Sequence, residues 1–259
     1  MRSFIRIMFL NFAGNFSKPS NGIHILNGHY INKVQGNNDV EQFEELLNQL
    51  SKMFDFILFE DACNLIKSGK NLDKPYLSFS FDDGFSECFT SIAPVLERFN
   101  TNACFFINPH VIEKDEIFRR EFIKSHLNSK IDKTFMTWDQ IIQLHVNGHI
   151  IGNHTWSHKA LLNLEYNEAY EEVKRGKDEL EKRLGFDCKY FAVPFGTPDF
   201  FDEVGLLAAT NNHELVFTSS FEYNKYFYKN NSRILSRRHF EGHWKISHLN
   251  YFLSQNRSI

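Results

Sequence analysis

The stretch that decides the fold is Leu77-Ser78-Phe79-Ser80-Phe81-Asp82-Asp83-Gly84, where apolar and small residues alternate before two carboxylates and a glycine. The alternation predicts a buried strand. Two adjacent acids at the end of such a strand repel each other and lose hydration, which argues against a purely structural role. Gly84 accepts the positive φ of a tight turn, so both carboxylates can turn into one cavity. One could then hold a metal and the other move a proton; the alternative is an ordinary surface turn.

Length and the alternation of elements predict the architecture. The chain of 259 residues is 42% apolar, which is enough for one large domain with a sizeable core. Strand-like and helix-like segments alternate without a linker or an internal repeat, so we expect a parallel sheet wrapped in helices, most simply a single α/β barrel. In such barrels the chemistry lies where the strands end, as Asp82 and Asp83 do. We assign residues 1–21 to an N-terminal extension and residues 22–259 to the domain.

Local patterns predict several elements. Asn38 or Asp39 can cap a helix that has a continuous apolar face, and Thr137 begins a capping-box pattern before another helix. A buried strand is expected at residues 103–107, a long charged helix at 166–184 and a closing helix at 243–255. The charged, irregular residues 108–136 are expected to form an excursion over one end of the fold.

Charge and composition exclude some classes of protein. The net charge is −3 with no long basic run, so nothing favours nucleic-acid binding. No stretch approaches the ~18 consecutive apolar residues of a membrane-spanning helix. Met1–Leu10 resembles a signal peptide only faintly, because Arg6 interrupts it, and we expect a cytoplasmic protein with a peripheral membrane contact of this segment as an alternative. Four scattered cysteines are expected to be small buried residues, with one disulfide as the alternative: Cys63, Cys88, Cys104 and Cys188.

A second polar cluster, Gly152–His158, follows another expected strand. Its histidines His154 and His158 are four residues apart, so on one side of a helical turn both rings could reach one cation at ~2.0–2.1 Å. With Asp83 they would form a two-histidine, one-carboxylate site that leaves a position open for water. A zinc ion held in this way lowers the pKa of its water from about 15.7 to near 7 and polarises a carbonyl oxygen. A histidine pair alone is weak evidence, but together with Asp82–Gly84 it favours a metal site.

The two clusters resemble motifs of the polysaccharide deacetylases with a NodB-type domain, carbohydrate esterase family 4. Ser80–Gly84 matches the family's T/S-F-D-D-G motif, and His154–His158 matches its H-T/S-x-x-H motif. Phe191–Gly196 is similar to the third motif, R-x-P-F/Y-G. The resemblance covers roughly residues 22–240 and implies a single irregular (β/α) barrel.

The resemblance also implies a role for each matching residue. Asp82 would be the general base, and the backbone N–H of Phe195 would help to stabilise the oxyanion. The metal ligands would be Asp83, His154 and His158, and the metal zinc, with Co²⁺ or Ni²⁺ as alternatives. These roles agree with what amide hydrolysis needs: an activated water, a Lewis acid on the carbonyl and a proton donor for the leaving amine.

The sequence departs from the family pattern at Ala192, which stands where the third motif has an arginine that pairs with the catalytic aspartate. Without a cation beside it, the Asp82 carboxyl is expected to have a higher pKa than its counterpart in relatives that keep the arginine.

The proton donor has two candidates. Ile25–Ile31 resembles the N-terminal segment of the poly-N-acetylglucosamine deacetylase branch, where a circular permutation moves the acid-bearing strand to the front, and this favours His29. Most of the family supplies the acid from a late L-x-H strand, and here His239 and His243 lie in the corresponding region. A histidine near its ordinary pKa of about 6.5 suits this role. His239 follows Arg237 and Arg238, and if these two cations lie close they would depress its pKa and weaken it as a protonated acid.

The function that the resemblance implies is metal-dependent removal of the N-acetyl group from an amino sugar, in a cell-envelope polysaccharide or a lipid-linked glycan precursor. A sugar deformylase and a small-metabolite deacetylase are alternatives within the enzyme class. A non-catalytic glycan-binding relative is the alternative outside it. The presence of both aspartates and both histidines argues against the binding module, which has no use for the full set.

Overall fold

The computed structural model describes residues 2–32, 38–219, 227–228 and 231–254. Its helices are α1 (Arg2–Asn15), α2 (Asp39–Leu50), α3 (Phe59–Ser68), α4 (Ala93–Arg98), α5 (Glu116–Ser125), α6 (Trp138–Val146), α7 (Tyr166–Leu184), α8 (Glu203–Asn212) and α9 (Ile246–Leu253). Its strands are β1 (Gly22–Gly28), β2 (Asp55–Phe56), β3 (Pro75–Phe81), β4 (Ala103–Ile107), β5 (Ile150–Asn153), β6 (Tyr190–Ala192), β7 (Leu215–Thr218), β8 (Phe227–Tyr228), β9 (Asn231–Ser236) and β10 (Arg238–His239). A π-helical turn at Cys88–Ile92 leads into α4.

The strands form one sheet in the order β10-β1-β3-β4-β5-β6-β7-β9-β8, with β2 paired to β3 outside this path. All pairs are parallel except β8 with β9. Because β9 pairs with β7 while β10, its immediate continuation, pairs with β1, the sheet curls into a nearly closed barrel. Only Arg237 separates the two strands at this seam. The expected single α/β barrel is confirmed.

The alternation in β3 sorts its side chains onto two faces. Leu77, Phe79 and Phe81 pack in the main core between the sheet and the helices. Ser78 and Ser80 are also fully buried, on the opposite face of the strand. Both faces are covered, as is usual for parallel strands.

Several expected elements are confirmed with their bounds. The strand at residues 103–107 is β4, and the charged helix at 166–184 is α7. In α2, which begins at Asp39, the expected apolar face is buried. Thr137 makes the predicted capping box with Gln140 at the start of α6.

Two expectations are wrong. Residues 108–136 are not irregular throughout, because they contain α5, whose N-cap Asp115 accepts a hydrogen bond from Phe118 N–H. The closing helix α9 is shorter than residues 243–255 and begins only at Ile246; residue 255 lies outside the described part of the chain.

The N-terminal segment carries α1, which lies against α9. Leu10 is buried in this contact, and a Cβ on Gly14 would lie 1.7 Å from the Ser247 carbonyl oxygen, so the two helices approach closely there. Among the helices that the structure describes, none has the length and apolar character needed to cross a membrane. The four cysteines are free and buried, as expected.

Candidate active site

The end of β3 brings two carboxylates into the protein interior. The Asp82 N–H donates to the Gly28 carbonyl oxygen at 2.9 Å, which continues the pairing of β3 with β1 by one residue. The chain then turns at Asp83 (φ 73°) and Gly84 (φ 79°). Both carboxylates are buried, with Asp82 3% and Asp83 5% exposed. The turn predicted at Gly84 is present, but Asp83 itself also adopts the strained left-handed conformation that is common at functional sites.

Asp83 lies against two histidine rings. Its Oδ1 is 3.6 Å from His154 Nε2 and 3.4 Å from His158 Nε2. The opposite ring nitrogens are engaged with backbone carbonyls, His154 Nδ1 with Ala192 at 2.8 Å and His158 Nδ1 with His126 at 3.0 Å. Because each Nδ1 must then carry the ring proton, each Nε2 directs a lone pair towards Asp83.

These three residues fit a divalent metal ion. A carboxylate oxygen and two Nε2 atoms, all acceptors, lie within 4.8 Å of one another, and Asp83 Oδ1 has no hydrogen-bond partner. Burial lowers the pKa of His154 and of His158, so both rings are neutral near pH 7, the form that binds metals. Burial, with Asp82 next to it, raises the pKa of Asp83. Such a buried cluster of acceptors is stabilised by a cation, and the set matches zinc-type ligands.

The histidine pair does not lie on a helical turn, so that expectation is wrong. His154 and His158 are in the irregular segment after β5, with their ring centroids 4.9 Å apart. Thr155 (φ 63°) and His158 (φ 59°) have left-handed backbones. The buried side chain of Asn108, which follows β4, donates to the carbonyl oxygens of His154 and Thr155 and holds this segment in place.

Asp82 is paired with Arg237, a residue that the sequence patterns did not single out for this role. Arg237 donates to both carboxylate oxygens, at 2.7 and 2.9 Å, and to Ser80 Oγ at 3.1 Å. Burial by itself raises the pKa of Asp82, but Arg237 and the nearby histidines outweigh this effect and lower the pKa to about 2. The expectation that the substitution at Ala192 leaves the Asp82 pKa high is therefore wrong.

Arg237 lies at the seam between β9 and β10 and provides the positive charge that the third motif lacks because of Ala192. Its guanidinium lies over the Phe106 ring, 4.9 Å from the centroid, and 5.8 Å from that of Phe217. Ala192 packs in the same cluster as these two rings, so the small side chain at position 192 leaves room for the guanidinium. The sequence did contain a signal, because Leu235-Ser236-Arg237 places an arginine at the third position of an L-x-H-like segment.

His29, the favoured candidate for the proton donor, and its alternative His239 both line the active-site cavity, which has a volume of about 180 Å³. His29, directly after β1, and His239 in β10 have ring centroids 5.5 Å apart. His239 Nε2 is 3.3 Å from Glu241 Oε1. His243 instead lines a separate cavity beside α2. The full lining of the active-site cavity is His29, Tyr30, Asp83, Leu127, Ser129, Ile131, His158, Phe195, His239 and Glu241.

The expectation of an ordinary pKa for His29 is wrong. Burial lowers it to about 4, although the charges of Asp82 and Glu241 act in the opposite direction. Arg237 pairs with Asp82 rather than with His239. His29 lies inside the cavity, which agrees with the prediction that the acid-bearing strand is at the N-terminal end of the chain. Its role as the acid stays a prediction.

Phe195 forms part of the cavity wall beside His158. Its backbone is left-handed (φ 61°), as is that of Gly196 (φ 69°). The Phe195 ring packs against His158 and Phe200, with centroid distances of 4.6 and 4.4 Å. Phe195 therefore lines the cavity from a left-handed turn, and the role of its backbone N–H as oxyanion donor stays a prediction.

A parallel (β/α) barrel with an aspartate, two histidines and a second, ionised aspartate at its strand ends has the features of a hydrolytic enzyme. The chain belongs to the polysaccharide deacetylase family, whose model matches residues 69–215. This range includes Asp82, Asp83, both histidines of the cluster and Phe195, but neither His29 nor Arg237.

Two curated relatives match about half of the chain. One, an uncharacterised YlxY protein of Bacillus subtilis, is 24% identical over 128 residues, 49% of this chain and 33% of its own. The other, an uncharacterised 30.6 kDa protein of Geobacillus stearothermophilus, is 22% identical over 122 residues, 47% of this chain and 38% of its own. The match thus spans little more than a third of these relatives' length.

Solved structures share the fold over most of the chain. IcaB from Ammonifex degensii has a TM-score of 0.72 at 19% identity, covering 92% of this chain and 100% of its own. The Streptococcus pyogenes deacetylase PplD, in complex with acetate, has a TM-score of 0.70 at 18% identity with the same coverage. These neighbours confirm the irregular NodB-type barrel.

Proposed function

We propose that this chain is a metal-dependent deacetylase that hydrolyses the N-acetyl amide of an amino sugar in a glycan. The observation that carries the proposal is the buried acceptor cluster of Asp83, His154 and His158 next to the ionised Asp82. A structural role for this cluster is disfavoured, since burying several acceptors without a donor is costly. Membership of the polysaccharide deacetylase family supports removal of an acetyl group.

The proposed chemistry divides between the two aspartates. Asp83, His154 and His158 would hold a divalent metal, which when bound supplies Lewis acidity to a carbonyl oxygen and to water. Asp82 is placed to accept a proton from the attacking water, and its two hydrogen bonds to Arg237 fix the plane of its carboxylate. Its pKa of about 2 keeps it in the basic form throughout the neutral range.

Residues of the cavity wall would protonate the leaving amine and stabilise the oxyanion. His29 would donate a proton to the leaving amine, because its ring lies in the same cavity as Asp83 and His158. With a pKa of about 4 in the free protein, the ring is neutral near pH 7, so it would take up a proton from solvent as negative charge develops near it and then pass this proton to the leaving amine. Asp82 would return the proton of the attacking water to solvent after turnover. The Phe195 N–H would stabilise the oxygen on which that charge develops.

The proposed substrate is an amino sugar within a polysaccharide or a lipid-linked glycan precursor. The active-site cavity, about 180 Å³, accommodates an acetamido group, so the rest of the sugar would lie outside it. Leu127, Ser129 and Ile131 from the segment between α5 and α6 form one of its walls. These side chains would therefore decide whether an acetyl or a formyl group is accepted.

The test is acyl release from N-acyl amino sugars, both as oligosaccharides and linked to lipid. The protein is treated with a chelator, and Zn²⁺, Co²⁺ or Ni²⁺ is then added back. Acetate release that disappears with chelation and returns with metal is expected. Formate release alone would replace the deacetylase by a deformylase, and metal binding without release of either acid would identify a glycan-binding relative.

A further inference from the structure

The N-terminal helix α1 exposes a large aromatic surface. Its inner side packs against α9 through Leu10 and Gly14, as described above. Its outer side and the residue directly after it carry four large apolar residues with high exposed fractions: Met8 58%, Phe9 53%, Phe12 70% and, after the helix, Phe16 79%. Single exposed apolar residues are common, but four within nine positions of one segment are not explained by packing inside this chain.

These side chains form one continuous surface with α9. Phe9, Phe12 and Phe16 follow the spacing of a helix face, and the rings of Phe12 and Phe16 are 5.2 Å apart. The Phe9 ring contacts Tyr251 of α9 edge-on at 5.5 Å. We call Met8, Phe9, Phe12, Phe16 and Tyr251 the aromatic face.

The sequence around the aromatic face is cationic, although the whole chain has a net charge of −3. Arg2 and Arg6 belong to α1 and Lys18 follows it, whereas the first acidic residue of the chain is Asp39. On the α9 side, Lys245 is exposed, and no acidic residue follows Glu241. The acidic excess of the protein is therefore confined to the residues between Asp39 and Glu241.

We propose that the aromatic face of α1 binds the surface of a bilayer that contains anionic lipids. Phenylalanine rings on one side of a helix, with arginine and lysine nearby, are the features of a helix that lies in the membrane interface. Anionic headgroups attract the cations within about a Debye length, so the binding weakens with salt.

A second copy of this chain fits the aromatic face less well. A symmetric dimer would bring two α1 helices together, each with its own arginines and with no acidic residue in the same segment to pair with them. An anionic bilayer matches both the apolar and the cationic parts of this surface. The proposal is independent of the deacetylase activity.

The experiment is flotation of the purified full-length protein with two kinds of vesicle, phosphatidylcholine alone and phosphatidylcholine with one third phosphatidylglycerol. The test variant is Phe12→Ser with Phe16→Ser. The matched control is Ile117→Ser with Val146→Ser, which removes two apolar side chains of similar exposure, 83% and 69%, from α5 and α6. Circular dichroism checks that all three proteins are folded.

Wild type and control should bind the anionic vesicles equally within twofold, with at least tenfold weaker partition to phosphatidylcholine alone. The Phe12→Ser, Phe16→Ser variant should partition to anionic vesicles at least tenfold more weakly, while acetate release from a soluble substrate is unchanged. Equal vesicle binding by this variant, or no binding by wild type, overturns the proposal. If wild type is a dimer that fails to bind vesicles and the variant is a monomer, the aromatic face is instead a self-association surface.

Discussion

The contact between Asp82 and Arg237 links the proposed base to the seam of the barrel. In this pair both carboxylate oxygens are hydrogen-bonded by one guanidinium, and both side chains are buried. Removing one partner of a buried pair costs about 3–5 kcal/mol, so truncation would test folding as much as catalysis. Lysine at position 237 would keep the positive charge but could not form the bidentate hydrogen bonds to the carboxylate.

Arg237→Lys is therefore expected to lower kcat by at least tenfold and to move the acidic limb of the pH–rate profile to higher pH. The sign follows from the pair: Arg237 helps to hold the Asp82 pKa at about 2, so a weaker contact lets it rise. The pH–rate profile of both proteins is the measurement. Asp82→Asn is the reference for complete loss of the base, and an unchanged acidic limb in Arg237→Lys would contradict the pairing.

For the metal, His154→Ala is expected to abolish bound metal and most activity while the protein remains folded. The variant removes one of three acceptors, and two acceptors hold a divalent ion much less tightly. Elemental analysis of purified protein after incubation with Zn²⁺ and desalting gives the metal content. His145→Ala, an exposed histidine on α6, is the control and should keep its metal. Full metal content in His154→Ala would refute the ligand assignment.

The proton donor is tested by comparing two histidines in the same cavity. His29→Ala is expected to lower kcat by ~10²-fold or more, the usual scale for a lost general acid, and to remove the alkaline limb of the pH–rate profile. His239→Ala should have a much smaller effect, because its side chain is 41% exposed and faces Glu241. If the two variants exchange these behaviours, the acid comes from the C-terminal end of the chain.

At the level of elements, a helix or strand could be predicted from the sequence where the residues of the segment itself determine its conformation. Strand 103–107 and helix 166–184 follow from apolar and charge periodicity, which is a property of the segment itself. The left-handed backbone of Thr155 has no such local cause, because a β-branched residue disfavours positive φ, whereas histidine, as at His158, adopts it more readily than most residues. A residue far away in the sequence contacts this segment, because Asn108 donates to the carbonyl oxygens of His154 and Thr155.

Arg237, the partner of Asp82, could not be predicted for a similar reason. Strand β10 has only two residues and β9 lies in a polar stretch, so the periodicity of this region is weak. Arg237 pairs with a residue that precedes it by 155 positions, and only the closure of the barrel brings them together. The Asp–His–His cluster, by contrast, could be predicted because two specific motifs mark it.

A substitution of Asn108 tests whether its hydrogen bonds hold the segment that carries the two histidines. Asn108→Ala removes both hydrogen bonds to the segment that carries His154 and His158. We expect metal affinity to fall ~10–100-fold, the usual effect of losing an outer-shell partner, with all three ligands still present. Titration with a competing chelator measures the affinity. An affinity equal to that of wild type would show that the strained backbone holds its shape without Asn108.

At the level of the whole molecule, the fold also buries neutral histidines that have no proposed part in the reaction. His213 lies between α8 and β7, where its Nε2 contacts Asn153 Nδ2 at 3.2 Å and its Nδ1 contacts the Ala209 carbonyl oxygen at 3.2 Å. Its side chain is almost fully buried, and this burial lowers the pKa of His213 to about 3. His24 and His149 are shifted in the same direction, with burial again the main cause.

This burial makes the stability of the protein depend on pH in a defined window. Above the unfolded pKa of about 6.5, His213 is neutral in both states and the free energy of unfolding does not depend on its titration. As the pH falls below that value, His213 binds a proton in the unfolded chain but not in the folded chain, where it stays neutral down to about pH 3. The free energy of unfolding therefore decreases. The slope for one such group approaches about 1.4 kcal/mol per pH unit.

Urea unfolding of wild type and His213→Gln at pH 7.5 and pH 5 isolates this contribution, since the other titrating groups are common to both proteins. Glutamine keeps a polar end near Asn153 but takes up no proton. The variant is expected to be less stable than wild type at pH 7.5, because the imidazole packing is lost, yet to lose less stability on going to pH 5. The difference between the two losses should be about 1–2 kcal/mol. Equal losses in the two proteins would mean that His213 takes up its proton in the folded state as readily as in the unfolded chain.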